Sequence, residues 1–253
     1  MKNMLEVIHV SKTFNKGTIN EKKALIDVSL RLESGEFVTV IGGNGAGKST
    51  LLNAVAGSWP IDEGAIVLDG TNITGMPEHK RAPLIGRVFQ DPMIGTAPNM
   101  ELQENLALAY RRGKKRTLRW GITAKEKEYY KERLATLNLG LEDRMSTHVG
   151  LLSGGQRQAV TLLMAALQKP KLLLLDEHTA ALDPKTAEKV LAFSDRIVKE
   201  FSLTTLMITH NMTDAIEHGS RLIMMDEGQI VYDISGREKA DLKKEDLISK
   251  YKI

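Results

Sequence analysis

The chain has 253 residues, 42% apolar and 26% charged, which are ordinary values for a folded domain with a sizeable core. Its 35 basic and 32 acidic side chains leave a net charge of +3, too little for nucleic-acid binding over a whole face. With no cysteine, a disulfide framework, a cysteine-zinc site and a thiol nucleophile are all excluded.

The opening MKNMLEVIHV has no apolar core of a signal peptide, so none is expected. The first forty residues read as β. FVTVIG (Phe37–Gly42) is a β-rich apolar run that ends in glycine. Ser49 to Ala56 reads as a helix stopped by Gly57. GAIVLDG (Gly64–Gly70) is a short strand ending in an Asp-Gly turn, and GRVFQD (Gly86–Asp91) is another strand. From Pro92 to about Gly150 strand signals vanish and charged, helix-forming sequence takes over. There Thr123 and Glu126 form a capping-box pattern ahead of KEKEYYKERLATL.

After Ser153 strands and helices alternate again. A helix (Gln156–Gln168) meets a breaker at Lys169-Pro170, and the strand Leu172–Leu175 follows. Then come a helix from about Lys185 to Phe201, a strand (Thr204–Thr209) and a helix (Met212–His218). A hairpin closes the run, Arg221–Met225 and Ile230–Ile234 around a turn at Asp226–Gln229. The charged tail REKADLKKEDLISKYKI reads as helical. The pattern predicts an α/β fold with a largely parallel sheet covered on both faces, an antiparallel β portion and a helical insertion. One domain is expected over 1–253. Its core takes about 1–91 and 151–235, the helical subdomain about 92–150 and the tail about 236–253. The longest mostly apolar run, Ala159–Leu167, is far short of the roughly 20 residues that span a bilayer. The chain is not expected to cross a membrane by itself.

GGNGAGKST (Gly42–Thr50) satisfies the phosphate-loop pattern through Gly42, Gly47, Lys48 and Ser49, between a predicted strand and a predicted helix. At ordinary glycine usage the pattern arises by chance in about one per cent of chains this long. Backbone N–H groups of such a loop, from Gly42 through Asn44, Gly45, Ala46 and Gly47 to Thr50, curl around phosphates. Lys48 reaches the β- and γ-phosphates and the Ser49 hydroxyl ligates Mg²⁺. LLLLDE (Leu172–Glu177) is a buried strand that delivers two carboxylates at its C-terminal end, where ligands bind in open α/β sheets. Asp176 and Glu177 point in different directions, so one can serve the metal and the other can deprotonate water. LLSGGQRQ (Leu151–Gln158) raises a separate question. Ser153 can cap a helix whose free N–H groups at Gly154 and Gly155 attract anions, yet the phosphate loop lies a hundred residues earlier.

A phosphate loop, Gln90 after a strand, LSGGQ (Leu152–Gln156), LLLLDE, AALD (Ala180–Asp183) and His210 in LMITHN occur in this order. Together they resemble the ATP-binding cassette (ABC) ATPases, the motor domains of ABC transporters, over about Leu5 to Ser235. The resemblance implies a P-loop NTPase fold, ATP and Mg²⁺ as cofactors, and hydrolysis of ATP to ADP and phosphate. It sets Phe14 against adenine and Gln90 near Mg²⁺ and the attacking water. It makes Asp176 the Mg²⁺-associated aspartate, Glu177 the general base and His210 the switch histidine at the γ-phosphate. Asp183 matches the aspartate that contacts the opposite subunit. In this family two cassettes pack head to tail, so Ser153, Gly154, Gly155 and Gln156 of one close over ATP on the other. That answers the question of the second anion site. His178 stands where many members have proline, and Ala159 where many have arginine.

The resemblance also implies partners: a second cassette in a homodimer, transmembrane permease subunits and, indirectly, an extracellular substrate-binding protein. No nucleic acid is expected. The place is the cytoplasmic face of the plasma membrane. The long segment Gly95–Thr123, with EHTAALDPKT (Glu177–Thr186), resembles importer ATPases of a tryptophan/tyrosine uptake group. The competing reading is a soluble cassette of iron–sulfur assembly. The polar stretch Asp91–Ala109 carries Met93, Ile94, Met100 and Leu102, which suits a shallow groove for a partner helix. The basic run Arg111, Arg112, Lys114, Lys115, Arg116 and Arg119 is expected to face lipid headgroups or permease loops.

Overall fold

The computed structural model describes residues 2–114 and 121–250. In chain order, β1 (Asn3–Phe14), β2 (Lys22–Glu33) and β3 (Phe37–Gly42) lead into α1 (Lys48–Ala56). Then follow β4 (Glu63–Leu68), β5 (Thr71–Asn72), α2 (Glu78–Arg81) and β6 (Ile85–Val88). The next segment holds α3 (Leu102–Tyr110) and α4 (Ala124–Ala135). Beyond it lie α5 (Gly154–Ala166), β7 (Leu172–Asp176), α6 (Pro184–Phe201), β8 (Thr204–Ile208) and α7 (Met212–Glu217). The chain closes with β9 (Arg221–Asp226), β10 (Gln229–Ser235), α8 (Gly236–Ala240) and α9 (Lys244–Lys250).

Two sheets form. The first is antiparallel, in the order β2-β1-β4-β5. Its β4–β5 corner is a two-residue Asp69-Gly70 turn with both φ angles positive, as the right-handed twist of a tight hairpin demands. The second sheet runs β10-β9-β3-β8-β7-β6 and is parallel except for β10. The architecture is α/β, with an antiparallel portion and a helical segment between β6 and α5.

β7 shows how one strand serves two cores. Its four leucines are fully buried, and successive side chains point to opposite faces. Leu172 and Leu174 join β1, β2 and α1 in one core, while Leu173 and Leu175 join α5 and the helical segment in the other. At roughly 2 kcal/mol for each buried leucine, the strand is among the firmest parts of the molecule. Its end, where Asp176 and Glu177 stand, is correspondingly well fixed.

The helical segment packs Leu102, Leu106, Tyr130, Leu134 and Leu141 onto Leu162 and Leu163 of α5. The capping box of α4 forms: the Glu126 N–H donates to Thr123 Oγ1 and the Thr123 N–H to Glu126 Oε2. One expectation fails here. Leu102 is not part of an exposed groove-forming loop; it is fully buried at the first turn of α3. The Glu101–Glu104 capping box that starts α3 lies inside a stretch whose turn formers mask it. Ala159 is buried in the same core, where its small side chain lets α5 approach its neighbours. His178 is buried behind β7. Ser194 Oγ donates to the Val190 carbonyl, so it accepts from His178 Nε2 at 2.9 Å. Burial, aided by the nearby His218, pushes the His178 pKa down to about 4, so the ring stays neutral and fastens this segment to α6. Among the described residues no helix is long and apolar enough to cross a membrane.

Candidate nucleotide site

Between β3 and α1 the chain turns through the glycine-rich loop and places it against the C-terminal ends of β7 and β8. Gly47, the residue before α1, has φ 100°, and an added Cβ would come within 2.5 Å of the Ala24 carbonyl oxygen. Only glycine fits there. Lys48 folds back over the loop, and its Nζ donates to the Gly42 and Gly43 carbonyl oxygens at 2.8 and 3.0 Å. Burial pulls its pKa down, while Glu177 and Asp176 pull it up, so the ammonium sits between low-dielectric walls and two carboxylates.

A cavity of about 250 Å³ opens beside this loop. Asn44, Gly45, Ala46, Gly47, Lys48, Ser49 and Thr50 form its floor, and Phe14, Glu177 and His210 line its sides. Three further residues line it that sequence reading passed over, Lys22, Ala24 and Trp59. Trp59 meets Phe14 edge to face, with centroids 5.1 Å apart and planes at 82°. Its one signal in the sequence is a large aromatic just past the Gly57 stop of α1. Such a pair offers a flat, polarisable surface for a planar ring.

Glu177 has φ 46°, the left-handed region that a side chain with Cβ occupies at a cost of about 1–3 kcal/mol. Its N–H donates to the Ile208 carbonyl at 3.0 Å, tying the bend to β8. The turn brings Glu177 Oε1 to 2.5 Å from His210 Nε2. A carboxylate and an imidazole thus stand together in the cavity that Lys48 also lines. Asp176 points to the α1 side, 3.6 Å from Arg87 Nη2. Burial raises its pKa, and the Arg87 charge opposes that rise.

Gln90 is exposed beyond the end of β6 and does not line the cavity. Neither do Ser153, Gly154, Gly155, Gln156 and Asp183. Ser153 caps α5: the Gln156 N–H donates to its Oγ at 3.3 Å, and its own N–H donates to Gln156 Oε1 at 3.1 Å. The N–H groups of Gly154 and Gly155 begin the helix and point out of it. The two glycines differ in their surroundings. A Cβ on Gly154 would find ordinary contact, 3.5 Å from Leu182 Cδ2, whereas one on Gly155 would lie 2.2 Å from Thr186 Cγ2. Asp183 caps α6 by accepting from the Thr186 N–H at 3.1 Å, and the Thr186 side chain, followed by this backbone bond, lowers its pKa. Gly155→Ala is therefore expected to destabilise the chain by about 1–3 kcal/mol through overpacking of α5 on α6. Adding Thr186→Ser, which removes the offending methyl, should restore most of the loss in a thermal or urea melt.

The model of the ABC transporter family matches residues 25–180, from β2 through the phosphate loop to the segment after β7. The chain belongs to the ABC transporter ATPases. It is 44% identical over 248 residues to a "Tyrosine transport ATP-binding protein" of Clostridioides difficile, covering 98% of both chains. It is 36% identical over 242 residues to the "Phosphonates import ATP-binding protein PhnC" of Lactococcus lactis, covering 93% of this chain and 94% of that one. With the "Methionine import ATP-binding protein MetN" of Corynebacterium efficiens the identity is 37%, over 88% of this chain but 60% of the longer relative. Among solved structures, the ATP-binding cassette MJ1267 superposes with a TM-score of 0.82 at 26% identity, covering 100% of this chain and 99% of that one. A dimeric post-hydrolysis state of the cassette MJ0796 bound to ADP and Pi gives 0.78 at 28% identity, over 92% and 98%. As an ABC ATPase the chain binds and hydrolyses ATP.

Proposed function

We propose that the chain is the ATP-hydrolysing subunit of a bacterial ABC importer for amino acids, with Glu177 as general base. The observation that carries the chemistry is Glu177 held in a costly backbone conformation, 2.5 Å from His210 and in one cavity with Lys48. In this reading the loop N–H groups and Lys48 hold the β- and γ-phosphates, and adenine lies on the Phe14–Trp59 pair. Glu177 takes a proton from water, and His210 steadies the carboxylate and the γ-phosphate.

The groups available to a metal are few and all oxygen: the Ser49 hydroxyl, the Asp176 carboxylate and the Gln90 amide. No cluster of three or more His, Asp or Glu among the described residues could hold a metal alone. That set suits Mg²⁺, which keeps water ligands and leans on substrate phosphates. When bound it neutralises charge on the β- and γ-phosphate oxygens. The cavity is small for a nucleotide, and the helix start at Ser153 stands apart from it. Both features suit a homodimer in which Ser153, Gly154, Gly155 and Gln156 of the second copy, with its Asp183, cover the nucleotide.

The tyrosine-transport relative, matched over almost the full length, supports amino-acid import. An apolar groove supports a permease contact in this reading. A groove of about 340 Å³ runs along the β6 edge between the sheet and the helical segment. Ile94 and Leu108 line it with 66% and 51% of their surface exposed, and Met93 stands exposed next to Ile94. The basic run divides. Arg111 is engaged by Glu126 at 2.9 Å, Arg112 lines the groove, and Lys114 lies over the Tyr110 ring. Lys115, Arg116 and Arg119 lie outside the described residues. In this reading the groove receives a permease helix at the cytoplasmic face of the membrane. A substrate-binding protein delivers the solute outside.

Met93→Asp with Ile94→Asp tests the proposal. Both residues are exposed, so the chain should fold and hydrolyse ATP alone. In a transporter reconstituted with its membrane subunits, tyrosine uptake should fall at least about tenfold, the scale of losing a hot spot in an interface. Unchanged assembly and uptake would contradict the groove, and co-purification with soluble assembly proteins instead of membrane subunits would favour the iron–sulfur reading.

A further inference from the structure

β6 is the edge strand of the parallel sheet, and Arg87 is its one charged residue. Period-two alternation puts Arg87 on the same face as Ile85, towards α1, while Gly86 and Val88 face α5. The guanidinium is largely buried and its directions are taken by four neighbours. Nη1 donates to Ser58 Oγ at 3.1 Å, and Nη2 donates to Asn53 Oδ1 at 2.9 Å. Nη2 also lies 3.6 Å from Asp176 Oδ2, and the guanidinium carbon sits 4.4 Å above the Phe89 ring. Arg87 Nε is buried with no hydrogen-bond partner among the described residues. Asn53 carries the contact onward, because its Nδ2 donates to the Ser49 carbonyl at 2.7 Å. At the same time Arg87 lines the groove along the sheet edge.

One side chain therefore touches Asp176 directly and reaches Ser49 through Asn53. In the proposed reading those are two of the three residues, with Gln90, that serve the metal side of the nucleotide. Charge-assisted bonds of a planar guanidinium fix direction as well as distance. We propose that Arg87 is a positioning residue: it holds Asp176 and the Ser49 turn of α1 in register for Mg²⁺ and links that register to the groove wall. It makes no contact with the reacting atoms. The inference rests on the metal-side reading of Asp176 and Ser49. It adds that their placement depends on a residue outside the nucleotide cavity. An occupant that shifts the β6 edge would move Arg87, and Arg87 would move both.

The test is an Mg²⁺ titration of trinitrophenyl-ATP binding to the purified full-length chain, alongside binding in EDTA. Arg87→Met keeps bulk and removes the charge and donors. It should leave nucleotide affinity in EDTA unchanged and raise the Mg²⁺ needed for half-saturation about tenfold, the scale for removing a residue that orients a metal ligand. Arg87→Lys, which keeps the charge, should recover part of the shift. Asn53→Ala, at a partly exposed position, should move the Mg²⁺ requirement in the same direction, and the double variant should shift less than the sum. Asp176→Asn serves as the reference. If it shifts the Mg²⁺ requirement while folded Arg87→Met and Asn53→Ala do not, Arg87 is not a positioning residue. If Asp176→Asn itself has no effect, the metal-side reading falls and the inference with it. Should Arg87→Met fail to fold, the comparison of Arg87→Lys and Asn53→Ala with wild type decides on the same criterion.

Discussion

Glu177→Gln is expected to lower ATP turnover by about 10²-fold or more while ATP still binds, the scale of lost general-base catalysis. The substitution keeps the size of the side chain and leaves the backbone bend in place, since the φ of 46° is held by the bond to Ile208. Glutamine can still meet His210, so the cavity wall persists. What disappears is the group that accepts a proton from water. ATP should then remain uncleaved between two chains, and a nucleotide-dependent dimer should accumulate on size exclusion. His210→Ala removes the other half of the 2.5 Å contact and should also slow turnover, with Glu177 left to position itself. Near-wild-type hydrolysis by Glu177→Gln would remove Glu177 from the mechanism.

The second large effect concerns the composite site. Lys48→Ala chains lack the phosphate lysine, and Ser153→Arg chains block the start of α5. Each alone should be inactive. Mixed, they should recover hydrolysis or ATP-dependent dimerisation, because one of the two sites in a mixed dimer carries neither lesion. The structure also supplies a direct chemical test. The chain has no cysteine. A side chain at Gly43 meets nothing within 4 Å, and Ser153 is exposed. Gly43→Cys with Ser153→Cys should therefore fold and, with ATP bound, oxidise to a covalent dimer on a non-reducing gel. Crosslinks confined to single chains would overturn the head-to-tail arrangement. The Ser153 geometry suits this role. Its Oγ accepts from the Gln156 N–H, which leaves the hydroxyl proton and the Gly154 and Gly155 N–H groups directed outward.

Several features were legible because they depend on residues within about four positions of one another. The glycine pattern before Lys48, the Thr123–Glu126 box and the Ser153 cap are local hydrogen-bonding and backbone signals. The four-leucine run of β7 announced a buried strand, and the two acids after it announced the strand end nearest a ligand. Motif order sufficed for the family. Where local signals conflicted, reading failed: the turn formers around Pro98 hid α3, and Leu102 was taken for surface when it is core.

Other features needed the tertiary structure. That Glu177 meets His210 follows from β7 lying beside β8, and strand order is not encoded in any window of sequence. Trp59 joins Phe14 only because the end of α1 packs near the end of β1. Gly154 and Gly155 are identical letters, and only the position of Thr186 on α6 makes one of them sterically obligatory. Arg87 reads as a stray charge in an apolar strand until Asn53 and Ser58 at the end of α1 and Asp176 at the end of β7 are brought around it. The physical division is between forces that act along the chain and forces that act across it. Caps, turns and side-chain period are set by near neighbours and survive in the sequence alone. Shared contacts between strands and helices tens of residues apart arise only when burial of both faces of the sheet selects one packing.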